Sequence, residues 1–322
     1  MTNTATRARA WKTAAAAWLL FSVSAADAGT VQDWIAGFAN SDIRFQRSTS
    51  KVPFVPLGYA EVSYYGDTDV QTPDRSGQSI SFDQTLVSQG AVLPFLVSRR
   101  DAVMVGEWLG WSKFDTRSTS VDSFNVFSAG LPVGWLRQAN PDWQLAAFVM
   151  PLAHRASLPD SEWSWETMAG AFGRYVSSER LWWAFGAFAD VGPGEDLYLP
   201  YLGAAWSVTD EWTLSAVLPW PAVLYAPTRD TLFRFGAAPS GASWVLHENH
   251  EEVSLDIDTW DLGLGIERRL TGNIWAGLEA GIGGLRGLRV TSTDIEGPDF
   301  DIGASPYLSI SIQFRPELNP GY

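Results

Sequence analysis

The chain has no cysteine, no apolar run long enough for a membrane helix after its first 28 residues, and few basic residues. Without cysteine, neither disulfides nor thiolate chemistry are available. The 22 Lys and Arg residues stand against 36 Asp and Glu residues, which gives a net charge of −14. Nucleic-acid phosphates require Lys and Arg, so we expect no nucleic-acid partner.

The N-terminus has the three-part layout of a secretory signal peptide. Arg7, Arg9 and Lys12 precede the apolar stretch TAAAAWLLFSVSAA, and Ala26-Asp27-Ala28 supplies small residues at a cleavage site. We predict that residues 1–28 are a cleaved signal peptide, in preference to an anchor helix, because the apolar stretch is short. Their removal takes away three basic residues and one acidic residue, which changes the net charge from −14 to −16.

The rest of the chain is rich in aromatic residues and glycine, with 17 Trp, 17 Phe, 9 Tyr and 29 Gly. Its apolar segments alternate with period two, as β-strands do. In YLSISIQFR, Leu308, Ile310, Ile312 and Phe314 share one face. In NIWAGLEAGIG, Glu279 lies opposite the apolar face, among glycines. A soluble β-sandwich gives the same alternation, so the pattern alone leaves that alternative open.

The connections favour a closed barrel. Tight polar turns are predicted near Arg100, Asn140, Ser178, Asp210, Ser240 and Gly272, and longer polar loops lie between them. Tryptophans follow five of these turns and predict an aromatic girdle at a membrane interface: Trp143, Trp182, Trp212, Trp244 and Trp275. We predict an all-β fold, a closed antiparallel transmembrane β-barrel of about 14 strands, with 12 as the alternative.

The segment LWWAFGAFAD, residues 181–190, tests this interpretation because both of its faces are apolar. It is too short for a membrane helix but long enough for a tilted barrel strand. We expect Trp183 and Phe185 to face lipid, and Trp182 and Phe188 to face the lumen. The predicted organisation is a signal peptide at 1–28, a periplasmic segment or plug at 29–54, the barrel at 55–315 and a tail at 316–322.

Three C-terminal segments, WTLSAVLPWPAVLYAP, FRFGAAPSGASWVL and WDLGLGIERRLTGNIWAGLEAGIGGLRGLRV, carry a resemblance to a known group. They resemble the C-terminal half of an uncharacterised family of bacterial outer-membrane β-barrel proteins. The resemblance extends to residues 50–315 in layout. It implies a barrel in the outer membrane of a Gram-negative cell, in contact with its lipids, and it brings no activity. One departure is that RPELNPGY continues past Phe314, where such strands commonly end.

Charged residues on the inward face are the candidate functional set. Alternation assigns six residues to the lumen, with Glu107 and Asp190 as two further candidates: Glu166, Arg174, Arg234, Asp261, Glu267 and Glu279. Such residues either stabilise the wall as paired charges or line a polar path.

Motifs for metal binding and catalysis are less well supported by the sequence than the inward charged residues. The stretch 247–252, HENHEE, is a solvated acidic loop in preference to a metal site, because its histidine spacing is not that of a helical zinc motif. His154 could serve a nucleophile at Ser157 or Ser161, but no nucleophile-elbow sequence frames either serine. Acidic residues of the outer loops could bind cations and otherwise keep the loops solvated. We therefore predict no catalytic residue, no metal and no cofactor.

The function predicted from the sequence is a narrow channel or uptake protein for small molecules, with hydrophobic cargo favoured by inward aromatic residues. Two alternatives remain: a structural or surface-interaction barrel without transport, and an outer-membrane lipid hydrolase that uses His154.

Overall fold

The computed structural model describes residues 33–43, 50–71, 79–117, 123–158, 161–192, 196–240, 242–248, 251–257, 259–286 and 301–316. The predicted signal peptide and residues 317–322 lie outside this part of the chain. Within it, residues 33–39 form a short helix, α1, and the remaining regular structure is β. No helix among the described residues is long and apolar enough to cross a membrane.

Eighteen strands are present in the described residues: β1 (Gly58–Gln71), β2 (Ser79–Leu96), β3 (Asp101–Thr116), β4 (Phe124–Gly130), β5 (Val133–Gln138), β6 (Trp143–Ala156), β7 (Ser164–Val176), β8 (Leu181–Val191), β9 (Leu197–Ser207), β10 (Trp212–Leu218), β11 (Ala222–Thr228), β12 (Thr231–Pro239), β13 (Ala242–Glu248), β14 (Glu251–Ile257), β15 (Thr259–Thr271), β16 (Ile274–Arg286), β17 (Asp301–Ile302) and β18 (Ser305–Phe314).

Sixteen of these strands form one antiparallel sheet that closes on itself, because β1 pairs with both β2 and β18. Strands β4 and β5 both pair with β3 and β6, so they form one barrel strand interrupted at 131–132. Strands β17 and β18 both pair with β1 and likewise form one barrel strand. The wall therefore has 14 barrel strands, which confirms the first prediction and excludes 12. Strands β13 and β14 form a separate hairpin.

Period-two alternation produces an apolar outer face and a more polar inner face, as the sequence predicts. In β18, Leu308, Ile310 and Ile312 are exposed on the outside, while Ser309 and Ser311 are buried. In β8, Trp183 is 47% exposed and Ala184 only 2%. The closed sheet leaves no barrel edge unpaired, and this is how a β-structure satisfies its backbone in lipid.

The short turns lie at one end of the barrel, together with the first residue of β1 and the last of β18. Five predicted turns are found there, but the prediction at Ser240 was wrong. The short connection in that region is Arg229-Asp230, between β11 and β12, and Ser240 lies at the other end, before the β13–β14 hairpin. The alternation near residues 220–247 does not show where the strands begin and end, because both faces carry apolar residues.

The predicted tryptophan girdle was partly wrong. Trp143 and Trp212 are exposed on the outside, but Trp275 is 1% exposed and points inward, as does Trp182. The side chain of Trp244 is outside the described part. A turn fixes where a strand begins but not which face its first residue takes, so the distance from a turn cannot assign the face. Outward aromatics still form a row near the short turns, namely Trp135, Trp143, Tyr175, Trp183, Trp206 and Trp212, and four more lie near the loops, namely Phe127, Trp163, Trp165 and Tyr198.

Candidate functional site

Residues 33–43 and 50–57, the described part of the N-terminal segment, enter the barrel at its short-turn end. Phe38 of α1 and Ile43 pack with Phe54 and Leu57 against the inward-facing Ala102 and Leu136. These residues form a buried apolar cluster, so apolar burial is what holds the segment in place. The segment thus occupies the end of the lumen that faces the short turns.

Polar contacts attach this segment to the rim. The backbone N–H of Asp42 donates to the carbonyl of Arg99, and that of Lys51 donates to Asp210, each at 2.8 Å. The Lys51 Nζ lies 2.7 Å from Glu211 Oε1, and its donated hydrogen bond lowers the pKa of the Glu211 carboxyl from its usual value. The segment is therefore tied to the β2–β3 turn and to the β9–β10 turn, which are well separated around the rim.

Arg315 joins the segment to the last barrel strand. Its guanidinium donates to the Phe54 carbonyl at 2.8 Å and forms an ion pair with Glu267. The cation also lies 5.5 Å from the centre of the Trp275 ring. The inward position of Trp275 thus has a structural role that a membrane girdle would not give it.

An aromatic wall lines one side of the lumen. It consists of Phe148, Phe172, Phe188, Tyr201 and Trp220. Ring centres lie 6.0 Å apart for Phe148–Phe172 and 4.9 Å apart for Phe172–Tyr201. Phe188 and Trp220 extend the row at either end, 6.3 Å from Phe148 and 5.9 Å from Tyr201. A Cβ at Gly170 would lie 2.7 Å from ring atoms of Phe148 and Phe172, so this glycine lets the rings lie flat on the wall.

A polar wall lies on the other side. It consists of Tyr65, Arg234, Asp261, Glu279 and Tyr307. The Tyr65 hydroxyl donates to Asp261 at 2.7 Å, the Tyr307 hydroxyl donates to Glu279 at 2.6 Å, and Arg234 Nη1 lies 3.3 Å from Glu279. A Cβ at position 263 would collide with the Tyr307 hydroxyl, which explains the glycine there.

The two walls face each other across the lumen. The polar wall is carried by β1, β18, β16, β15 and β12, while the aromatic wall is carried by β6 to β9 and the turn after β10. In a ring of 14 barrel strands, the centres of these two sets, β16 and β8, are six strands apart, which is close to half of the circumference. The interior therefore presents an apolar surface and a hydrogen-bonding surface to the same space.

His154 lies in a buried cluster near the loop end. Its Nδ1 is 2.7 Å from Ser128 Oγ, and its Nε2 is 2.9 Å from Glu166 Oε2, without the alignment of a hydrogen bond. All three side chains are more than nine-tenths buried. The partner of His154 is thus Ser128 and not Ser157 or Ser161. A nucleophile must be reached by its substrate, and Ser128 is covered, so the cluster holds its members in place and exposes no reactive group.

All six residues assigned to the lumen from the sequence have their side chains on the inner side of the wall. The structure brings Arg234 together with Glu279, and it distributes Glu166, Arg174, Asp261 and Glu267 over separate contacts. Asp190 also faces inward, with a buried Oδ1 that has no hydrogen-bond partner in the described part of the chain. Glu107 was assigned wrongly, because its neighbours Ala102, Met104 and Trp108 take the inward positions of β3.

Sequence reasoning missed the tyrosines of the polar wall. Tyr65 and Tyr307 accompany the acidic residues through pairings β1–β18 and β16–β18, which no spacing along the chain reveals. Among the described residues, no group of three His, Asp or Glu side chains is placed to hold a metal ion. The side chains of the HENHEE stretch lie outside that part.

The fold defines the class of protein: an outer-membrane-type β-barrel with an apolar outer band. No protein-family model matches the chain, and no curated protein matches its sequence. Solved structures match with low identity. A TodX deltaS2S3 mutant, a monoaromatic hydrocarbon channel, is 9% identical with a TM-score of 0.48, and the match covers 81% of this chain and 91% of that one. A FadL homologue from Pseudomonas aeruginosa is 11% identical with a TM-score of 0.44, over 81% and 91%.

The translocator domain of the autotransporter NalP from Neisseria meningitidis also matches, at 11% identity and a TM-score of 0.41, over 90% of this chain and 98% of that one. These TM-scores are all below 0.5, so the barrel assignment depends on the strand pairing of the chain itself.

Proposed function

We propose that this protein is an outer-membrane channel for the uptake of small hydrophobic molecules, aromatic compounds included. The main observation in support is the aromatic wall, which offers a row of ring faces inside a closed barrel. Aromatic rings bind apolar and aromatic molecules by dispersion and edge-to-face contacts. The polar wall opposite would bind the hydroxyl or water that accompanies such a molecule, and it keeps the lumen from closing as an apolar core.

The organisation proposed for this function follows the chain. Residues 1–28 direct export, residues 29–54 form a plug at the periplasmic mouth, residues 55–315 form the transmembrane barrel and residues 316–322 form a tail. The apolar cluster around Phe38 and the rim contacts of Asp42 and Lys51 support the plug. Cargo would leave the barrel when this segment moves aside.

Uptake of labelled toluene by cells that produce the protein tests the proposal directly. We expect faster uptake than in cells that carry the empty vector. We also expect at least a several-fold loss in Phe172→Gln, because an amide interrupts the aromatic wall. Phe235→Ala is the matched control, since Phe235 is 52% exposed on the lipid side and should not matter.

A barrel without transport is the second candidate, favoured by the filled short-turn end of the lumen. Planar-bilayer conductance of the full chain and of a form lacking residues 29–54 separates the two. A rise in conductance on deletion supports the channel and its plug. If neither form conducts, and toluene uptake equals that of cells with the empty vector, the protein is a structural barrel and not a channel.

A further inference from the structure

A carboxyl group stands in the middle of the lipid-facing side of β3. The outward residues of this strand are Val103, Val105, Glu107, Leu109 and Trp111, followed by the ion-paired Lys113 and Asp115 at its loop end. Glu107 therefore has two apolar neighbours on each side along the strand. Gln89 on β2 lies beside it on the same face, and its Nε2 donates to Glu107 Oε1 at 3.3 Å. Lipid-facing ionisable groups at this depth are rare, and their presence indicates a function.

Beyond this hydrogen bond, most donors and acceptors of the Gln89 and Glu107 side chains have no partner within the described part of the chain. Glutamine has two N–H donors and a carbonyl acceptor, and a carboxyl group has two oxygens. Within the described part of the chain, the one bond uses a single N–H and a single oxygen. Hydrocarbon supplies neither donors nor acceptors, so the remaining groups need a partner that is itself polar.

Several small side chains lie on the outward face near the pair, while Leu131 and Val133 are its large neighbours on the β4–β5 side. The residues paired along one row are Ala60, Gln89, Leu109, Ala129 and Ala153, and Ala91 stands directly opposite Glu107. On the opposite wall, seven strands from β2, the outward positions of β10 carry large side chains, namely Trp212, Leu214 and Leu218. Small side chains allow another protein surface to approach the backbone closely, as at helix interfaces in membranes.

We infer that this face binds a second copy of the chain across a two-fold axis. In such an arrangement Glu107 of each copy meets Gln89 of the other, because a carboxyl group and a carboxamide are complementary in donors and acceptors. An interface of this symmetry must be self-complementary, and the Glu107–Gln89 pair supplies that property in two neighbouring residues. The inference requires only that the barrel stands in a membrane, and it is independent of what the lumen carries.

The absence of cysteine in the sequence makes cross-linking a clean test. Ala91→Cys is placed at the proposed interface and Leu214→Cys on the opposite wall. Both full-length variants are produced in outer membranes and treated with a short bis-maleimide. We expect a dimer band from Ala91→Cys and none from Leu214→Cys. Equal cross-linking of both variants, or none of either, would overturn the inference.

The polar pair is tested in the Ala91→Cys background. Glu107→Leu should reduce the dimer band at least tenfold, and Glu107→Gln, which keeps the hydrogen-bonding groups, should retain it. Glu107→Leu removes a polar group from a lipid-facing position, so folding should persist, and heat-modifiable gel mobility checks this. A dimer band that Glu107→Leu and Gln89→Leu leave unchanged would refute the role of the pair. Loss of toluene uptake in Glu107→Leu while the dimer persists would also refute it, since the pair would then serve passage through the wall.

Discussion

Arg315 is the side chain through which the end of the barrel, the lumen wall and the N-terminal segment meet. Its side chain is 8% exposed and its partner Glu267 is 18% exposed, so solvent screens their attraction little. The same guanidinium satisfies the Phe54 carbonyl, and the Trp275 ring covers it. Removing one partner from a buried ion pair leaves the other charge uncompensated, which is far more destabilising than losing an exposed pair.

We therefore expect Arg315→Ala to lower the free energy of unfolding by about 3 kcal/mol, measured by urea titration of the barrel in lipid vesicles. Arg155→Ala provides the control, because Arg155 is exposed at the loop end of β6. Glu267→Gln should recover part of the loss when combined with Arg315→Ala, since the uncompensated carboxylate is then absent. Equal effects of Arg315→Ala and Arg155→Ala would show that the buried pair contributes nothing specific.

At the level of single residues, alternation predicted faces well and partners poorly. Glu279 was placed inside because glycines flank it and apolar residues alternate around it, and this is where it lies. Its contacts with Tyr307 and Arg234 join strands far apart in the sequence, so no local pattern contains them. Glu107, a further candidate for the lumen, faces lipid instead, because it alternates with the inward residues of β3, among them Met104 and Trp108.

At the level of elements, the N-terminal segment differs from the strands in how it is held. Each barrel strand is fixed by two neighbours along its length, while the described residues 33–43 and 50–57 depend on one apolar cluster and a few rim contacts. A segment with so few contacts opens at lower free energy than the wall. The sequence predicts a periplasmic segment or plug here, but not its anchors, since Lys51 and Glu211 are 160 residues apart.

This segment should become more mobile in acid. Because the folded pKa of Glu211 is lowered by Lys51, the pair stabilises the attached state fully above the ordinary glutamate range. That contribution is lost as the pH falls through the lowered value, where the carboxylate takes up a proton. The electron paramagnetic resonance spectrum of a spin label at Val55→Cys reports the mobility.

Lys51→Gln should remove this acid step, and Lys113→Gln should leave it intact, because Lys113 pairs with Asp115 on β3. If the spin-labelled parent protein, its Lys51→Gln variant and its Lys113→Gln variant show an acid transition of the same size and midpoint, the step belongs to other carboxyl groups.

At the level of the whole molecule, the interior carries a surplus of acidic groups. Among the described residues, six carboxyl groups face inward, namely Glu61, Glu166, Asp190, Asp261, Glu267 and Glu279, against four guanidinium groups, namely Arg174, Arg234, Arg269 and Arg315. Within the described part of the chain, Glu61 and Asp261 accept hydrogen bonds from hydroxyl groups and have no cationic partner. A low-dielectric wall concentrates the field of such charges in the lumen, so cations are favoured there over anions.

The form lacking residues 29–54 should accordingly conduct K⁺ in preference to Cl⁻, as measured from the reversal potential in a KCl gradient across a planar bilayer. Glu61→Gln combined with Asp261→Asn should move the permeability ratio toward unity, because it removes two inward carboxyl groups that have no cationic partner among the described residues. Asp115→Asn is the control, since Asp115 has its outward-facing partner Lys113. A preference for Cl⁻, or a ratio that the double variant leaves unchanged, would mean that the loops and not the lumen set the selectivity.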